Sequence, residues 1–160
     1  MALLIHSESH PYIVVDCRFD YEYSGGHIAN AINLDSPHKV EEFFFRNREV
    51  VQDLMQKRTI IVFHCEFSQH RGPKMYRTLR EIDRSLHMHH YPQVFYPEIY
   101  LLEGGYKEFQ SKNPTLCNGS YLPMADKEFK EDCKIKFGRT RRLFKQYSTK
   151  DAVQRLLEEE

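Results

Sequence analysis

The run Thr59-Ile60-Ile61-Val62-Phe63-His64-Cys65 constrains this chain more than any other stretch. Four successive large apolar residues, most of them β-branched, form a buried strand. Beyond Gly72-Pro73, the residues Met75, Leu79, Ile82 and Leu86 recur at i, i+4, i+7 and i+11, the spacing of one helix face. A buried strand feeding an amphipathic helix predicts an α/β fold, because parallel strands need crossover helices that cover the sheet. The alternation recurs along the chain. YIVVDC (12–17) reads as a strand, Gly25-Gly26 as a turn, and AINL (31–34) as a second short strand. Residues 38–58 have helical spacing in pieces. EIYLLEGG (98–105) reads as a strand ending in a glycine turn, and YKEFQ opens another helix. From residue 125 the pattern is charged and helical. The expected organisation is a domain over 1–124 and a helical, basic C-terminal tail over 125–160.

Composition narrows the function. Lys+Arg and Asp+Glu both number 23, for a net charge of +0, so wholesale attraction to nucleic acid or membrane is not expected. No apolar run reaches the roughly 18 residues of a membrane span, and the start lacks a basic-then-apolar leader. Cys17, Cys65, Cys117 and Cys133 are therefore expected to be reduced thiols in a soluble intracellular protein. Charge is uneven: residues 127–150 hold nine Lys or Arg against three Asp or Glu. That segment either faces something acidic or is an ordinary solvated helix face.

Chemistry in an open α/β sheet sits where strands end and helices begin. Cys65 closes the strand and Arg71 opens the helix, with Glu66, Phe67, Ser68, Gln69 and His70 between them. A loop of this length can turn successive backbone N–H groups into one concavity beside a helix N-terminus, which suits a phosphate dianion. Arg71 adds a planar fork for two phosphate oxygens. The same positive field favours Cys65 as thiolate, the nucleophilic form. The implied reaction is metal-free hydrolysis of a phosphate monoester through phosphocysteine, with no cofactor. Against this stands the commoner fate of a cysteine after a strand, which is to be buried and inert.

HCEFSQHRGPKM (64–75) resembles the signature of the M-phase inducer phosphatases, the dual-specificity cell-division-cycle phosphatases. VVDCRFDYEYSGGHIANAINL (14–34), YPEIYLLEGGYKEF (96–109) and YLPM (121–124) are similar to further blocks of that family, in its order. The resemblance covers about residues 12–124. It implies a rhodanese-like fold, with a central, mainly parallel sheet flanked by helices. It also implies removal of phosphate from adjacent phosphothreonine and phosphotyrosine of cyclin-dependent kinases, which promotes G2/M progression. Cys65 becomes the nucleophile, Arg71 the phosphate clamp, and Cys17 a redox partner able to form a reversible disulfide with Cys65. Without the resemblance, Cys17 reads as a small buried hydrophobe. The sequence departs from the family at His70, often Glu in animal members, and in a short N-terminus that leaves only MALLIHSESHPY before the first block. The C-terminal segment matches loosely.

The proton donor to the leaving group has no obvious signature. Glu66, beside the nucleophile, and Glu22, in the YEY block, are the candidates, with the substrate itself as the third source. Arg77, Arg80 and Arg84 form a basic stripe opposite the apolar one. The resemblance makes Arg80 and Arg84 docking residues for a phosphorylated cyclin-dependent kinase–cyclin complex; otherwise they are a solvated face. His87, His89 and His90 lack the cysteine or carboxylate pattern of a metal site. His64 is expected to hydrogen-bond the loop, and Phe43–Phe45 to enter the core. The expected protein is a monomer in nucleus and cytoplasm. The competing readings are an arsenate reductase or sulfurtransferase of the same fold, and an inactive kinase-binding form.

Overall fold

The structure is a computed structural model that describes residues 10–158. Residues 1–9, on which the expectation of a shortened N-terminal element rests, lie outside them.

Strand β1 (Tyr12–Asp16) lies between β3 (Ile32–Asn33) and β4 (Ile60–His64), and β5 (Ile99–Leu101) pairs with the far edge of β4. All these pairings are parallel, with Val14 opposite Val62 and Val15 opposite Phe63. The expected parallel sheet is thus present, and alternation along its strands explains its two cores. Val15, Ile61 and Phe63 face one way, onto Met75 and Leu79 of α4 (Arg71–Leu86) and onto Val40 and Phe44. Val14 faces the other way, onto Tyr106 and Phe109 of α5 (Gly105–Lys112). Fully burying each such apolar side chain contributes roughly 1.5–3 kcal/mol, so covering both faces is what holds the sheet.

Two short elements follow β1. Helix α1 (Asp20–Gly25) leads directly into β2 (Gly26–Ile28), which pairs antiparallel with β6 (Cys117–Gly119). Between β3 and β4 the chain forms α2 (Pro37–Glu41), a π-turn (Glu42–Arg46) and α3 (Arg48–Gln56). Three successive aromatic residues cannot share one α-helical face. In the widened turn Phe44 is fully buried, while Phe43 and Phe45 pack on the rim of the same cluster.

The last two helices are α6 (Lys130–Gln146) and α7 (Thr149–Glu158). Helix α6 buries no residue. Just before it, Phe129 stacks on Tyr21 at 4.8 Å, and Lys136 of the helix reaches Asp20 at 2.8 Å. Helix α7 returns to the domain, where Ala152 and Leu156 pack on Ile82. Glu41, 3% exposed at its side chain, binds Arg155 and the Tyr147 hydroxyl at 2.9 Å each, and Arg46 at 3.1 Å.

Candidate active site

Cys65 stands at the carboxyl end of the central strand and is 4% exposed. Two backbone bonds fix that strand end: Cys17 N–H donates to the His64 carbonyl at 2.8 Å, and Tyr106 N–H to the Cys65 carbonyl at 2.9 Å. Lys107 N–H donates to the Glu66 carbonyl at 3.1 Å. Helix α5 therefore approaches the loop backbone closely. A Cβ on Gly105 would lie 2.6 Å from the Cys65 carbonyl oxygen and 2.5 Å from that of Glu66, and φ there is +63°. Only glycine meets both conditions.

The loop from Glu66 to His70 carries Ser68 at φ +55°, in the left-handed region, between residues of negative φ. Such a reversal can turn neighbouring backbone N–H groups into one concavity. None of the amides of residues 66–70 donates to an acceptor among the described residues. The Ser68 hydroxyl is also buried without a partner. Phe67, Gln69 and His70 are exposed at the rim. The loop is thus a cluster of unmatched donors at the front of a sixteen-residue helix.

Arg71 and Glu22, 49 residues apart, meet at this loop. Arg71 Nη1 donates to Glu22 Oε2, and Nη2 to Oε1 at 3.0 Å. Glu22 Oε2 also accepts the Phe19 N–H at 2.9 Å, which satisfies the N-cap amide of α1 from its third residue. Burial pushes the Glu22 carboxyl above the ordinary glutamate value, although Arg71 and the Phe19 amide oppose it. Burial would weaken the Arg71 charge, but Glu22 more than offsets this and keeps it a cation. The Phe19 ring lies 4.8 Å from the guanidinium. Of the two candidate proton donors, Glu22 is fully buried and occupied on both oxygens. Glu66, in the loop itself, is 5% exposed, accepts a hydrogen bond from the Tyr121 hydroxyl and lies 3.8 Å from Arg71.

Cys17 is buried in the same core cluster as Cys65, and both are free thiols. Burial pushes the Cys17 thiol well up, and neighbouring Cys65 and Asp16 add to the effect, so it stays protonated. Beneath the loop lies a polar floor. Arg18 and Asp16, both fully buried, pair at 2.6 Å. Arg18 also donates to the Gly26 carbonyl at 2.7 Å and lies 3.8 Å from the Tyr106 ring centroid. His64 Nδ1 donates to the Cys65 carbonyl at 3.2 Å, and burial lowers its pKa, which leaves the ring neutral.

The basic stripe on α4 is less uniform than its spacing implies. Arg80 contacts Asp83 at 3.6 Å and the Pro97 carbonyl at 3.4 Å, whereas Arg77 and Arg84 are exposed. His87 caps α4, with Nδ1 2.9 Å from the Asp83 carbonyl, while His89 and His90 are exposed.

The rhodanese-like domain profile matches residues 2–112. The chain belongs to the rhodanese-like family. It is 45% identical over 137 residues to M-phase inducer phosphatase 1-B of Xenopus laevis, covering 82% of this chain and 24% of that protein. It is 41% identical over 146 residues to human M-phase inducer phosphatase 2, covering 91% of this chain and 25% of that protein. The likeness read from the sequence blocks therefore holds. This rhodanese-like chain spans about a quarter of the length of these relatives. The solved As-Sb reductase from Leishmania major covers 72% of this chain and 76% of its own, with TM-score 0.50 and 23% identity, and so shares the fold.

Sequence reasoning reached the loop through the spacing of Cys65 and Arg71. It missed the partners Tyr121 and Phe19, and it placed Glu22 without its arginine. No local motif marks Glu22, because phenylalanine at the N-cap does not make the Ser/Thr-x-x-Glu pattern of a capping box.

Proposed function

We propose that this chain is a cysteine-dependent protein phosphatase that removes phosphate from adjacent phosphothreonine and phosphotyrosine of cyclin-dependent kinases, promoting G2/M progression. The observation that carries this reading is the unmatched ring of loop amides between Cys65 and an arginine already locked as a cation. The phosphate dianion takes the loop amides and shares Arg71 with Glu22. The Cys65 thiolate attacks phosphorus in line with the ester oxygen; the S–P bond forms as the P–O bond breaks. The departing oxygen takes a proton from Glu66 or, when the substrate binds as its monoanion, from the phosphoryl group itself. Water then attacks phosphocysteine, releasing inorganic phosphate and returning the thiolate. The amides and Arg71 hold the three equatorial oxygens throughout. Glu22 acts as a positioning residue that sets the guanidinium plane.

Cys17 serves as the redox partner. A peroxide oxidises Cys65 to sulfenic acid, and the Cys17 thiol displaces water to give a disulfide, which cellular thiols reduce. Docking of the kinase uses the exposed Arg84, with Arg80 held beside it by Asp83.

The test is phosphate release from a doubly phosphorylated kinase complex, in reductant and chelator, by the parent chain and by Cys65→Ser. Release by the parent and none by the variant is expected. Equal release by both would remove the thiolate from the mechanism.

A further inference from the structure

Helix α5 brings a cation of its own to the rim of the Cys65 loop. Lys107 N–H donates to the Glu66 carbonyl at 3.1 Å, so the first turn of the helix rests against the first loop residue. The Lys107 ammonium Nζ lies 5.4 Å from the Phe67 ring centroid and 5.9 Å from that of Tyr121. Phe67 is 45% exposed, and the Tyr121 hydroxyl is tied to Glu66. Beside them opens a pocket of about 390 Å³, walled by Phe67 and Gln69 of the loop and by Gly104, Lys107, Glu108 and Ser111. That volume is near the small end of the roughly 300–1,000 Å³ of ligand sites, room for a single side chain.

The charges around this pocket are unequally matched. Glu108 is paired with Lys112, one turn further along α5. Glu66 accepts from Tyr121 and lies 3.8 Å from Arg71. Lys107 has no carboxylate partner among the described residues, and the two rings are its only side-chain contacts there. Ring faces orient an ammonium without neutralising it. A carboxylate brought to this point gains a charge-assisted hydrogen bond and breaks no existing ion pair. A neutral or basic side chain gains nothing.

We infer that Lys107 is a specificity residue: it takes an acidic side chain that neighbours the phosphorylated residue of the substrate, on the α5 side of the loop. The inference rests on the phosphatase reading and names the sequence context of its substrate. With the phosphate on the loop amides, the peptide runs across the loop rim. Successive residues of an extended chain advance about 3.3 Å. One or two positions from the phosphorylated residue, the peptide therefore lies over Phe67 and Lys107. An aspartate or glutamate there meets the ammonium and rests its methylene groups on the Phe67 ring. Lys107 recognises this flanking acid and leaves the phosphoryl group to the loop and Arg71.

The experiment is equilibrium binding to the full chain carrying Cys65→Ser, so that nothing is turned over. The probes are synthetic phosphotyrosine peptides with alanine flanks, in which a single glutamate is moved through the positions on either side. Glutamate within two residues, on one side only, is expected to tighten binding about fivefold, the upper end for an ion pair at a surface. Adding Lys107→Met should erase that gain and leave the all-alanine peptide unchanged. Lys107→Arg should keep it, and Lys107→Glu should transfer the preference to lysine at the same position. The subsite is overturned if no glutamate position tightens binding, or if the gain survives Lys107→Met. An equal loss for every peptide in Lys107→Met would put the ammonium on the phosphate and overturn it as well. Phosphate release by the parent is measured separately. A glutamate preference without hydrolysis would retain the subsite and lose the phosphatase reading; hydrolysis without the preference would do the reverse.

Discussion

The floor beneath the loop and the C-terminal helices are held to this protein in opposite ways. Asp16, Arg18 and His64 are each fully buried and tied to the strand end through fixed hydrogen bonds. Helix α6 has no fully buried residue, and its Lys134–Glu131 pair is 63% and 77% exposed. Helix α7 lies between these extremes, attached by Ala152, Leu156 and the Glu41 cluster. A buried charge pair is costly to break and so holds the nucleophile's strand end in place. A helix held by surface contacts can carry residues that meet a substrate without disturbing that machinery.

The contrast should show as a descending series of effects. Replacing Arg18 with Leu leaves Asp16 as an uncompensated buried charge, so a loss of about 3–5 kcal/mol is expected in urea unfolding. A loss under about 1 kcal/mol would mean that the floor is not the rigid part. Leu156→Ala removes the apolar anchor of α7. Its expected cost is about 2 kcal/mol, the low end for a buried leucine, because the site is at the domain surface. Little or no cost would detach α7 from the stability of the domain.

Acid should act on the same anchor. Burial would raise the Glu41 carboxyl, but hydrogen bonds from Arg155, Tyr147 and Arg46 outweigh it and hold its pKa below the ordinary value. The stabilisation is therefore complete above the ordinary glutamate pKa and is lost as pH falls through the lowered one. The melting temperature of the parent should exceed that of Glu41→Gln at about pH 7, and the gap should close below about pH 4. A gap that widens in acid would contradict this sign. The smallest effect belongs to α6: Lys134→Ala should change stability by less than about 0.5 kcal/mol.

The legible parts of the fold are those with a short period. Ile60–Phe63 and the Met75, Leu79, Ile82 stripe announce a strand and a helix because their neighbours along the chain are also their neighbours in space. The Cys65–Arg71 spacing is legible for the same reason. The Glu22–Arg71 and Tyr121–Glu66 contacts span 49 and 55 residues, and no local pattern encodes them. β2 and β6, three residues each and rich in glycine, carry too little alternation to read as strands. Helix α1 hides because two tyrosines and a glycine weaken its helical propensity, while its stability comes from Glu22. The π-turn is visible only once the core decides which of three phenylalanines it takes.

The most direct test of the central claim is a rapid acid quench during the first turnover of a phosphorylated kinase peptide, followed by mass analysis of the Cys65 peptide. The account predicts one phosphoryl group on that peptide, formed before free phosphate appears and absent in Cys65→Ser. Free phosphate released without any phosphoryl-Cys65, at times when turnover is under way, would contradict it.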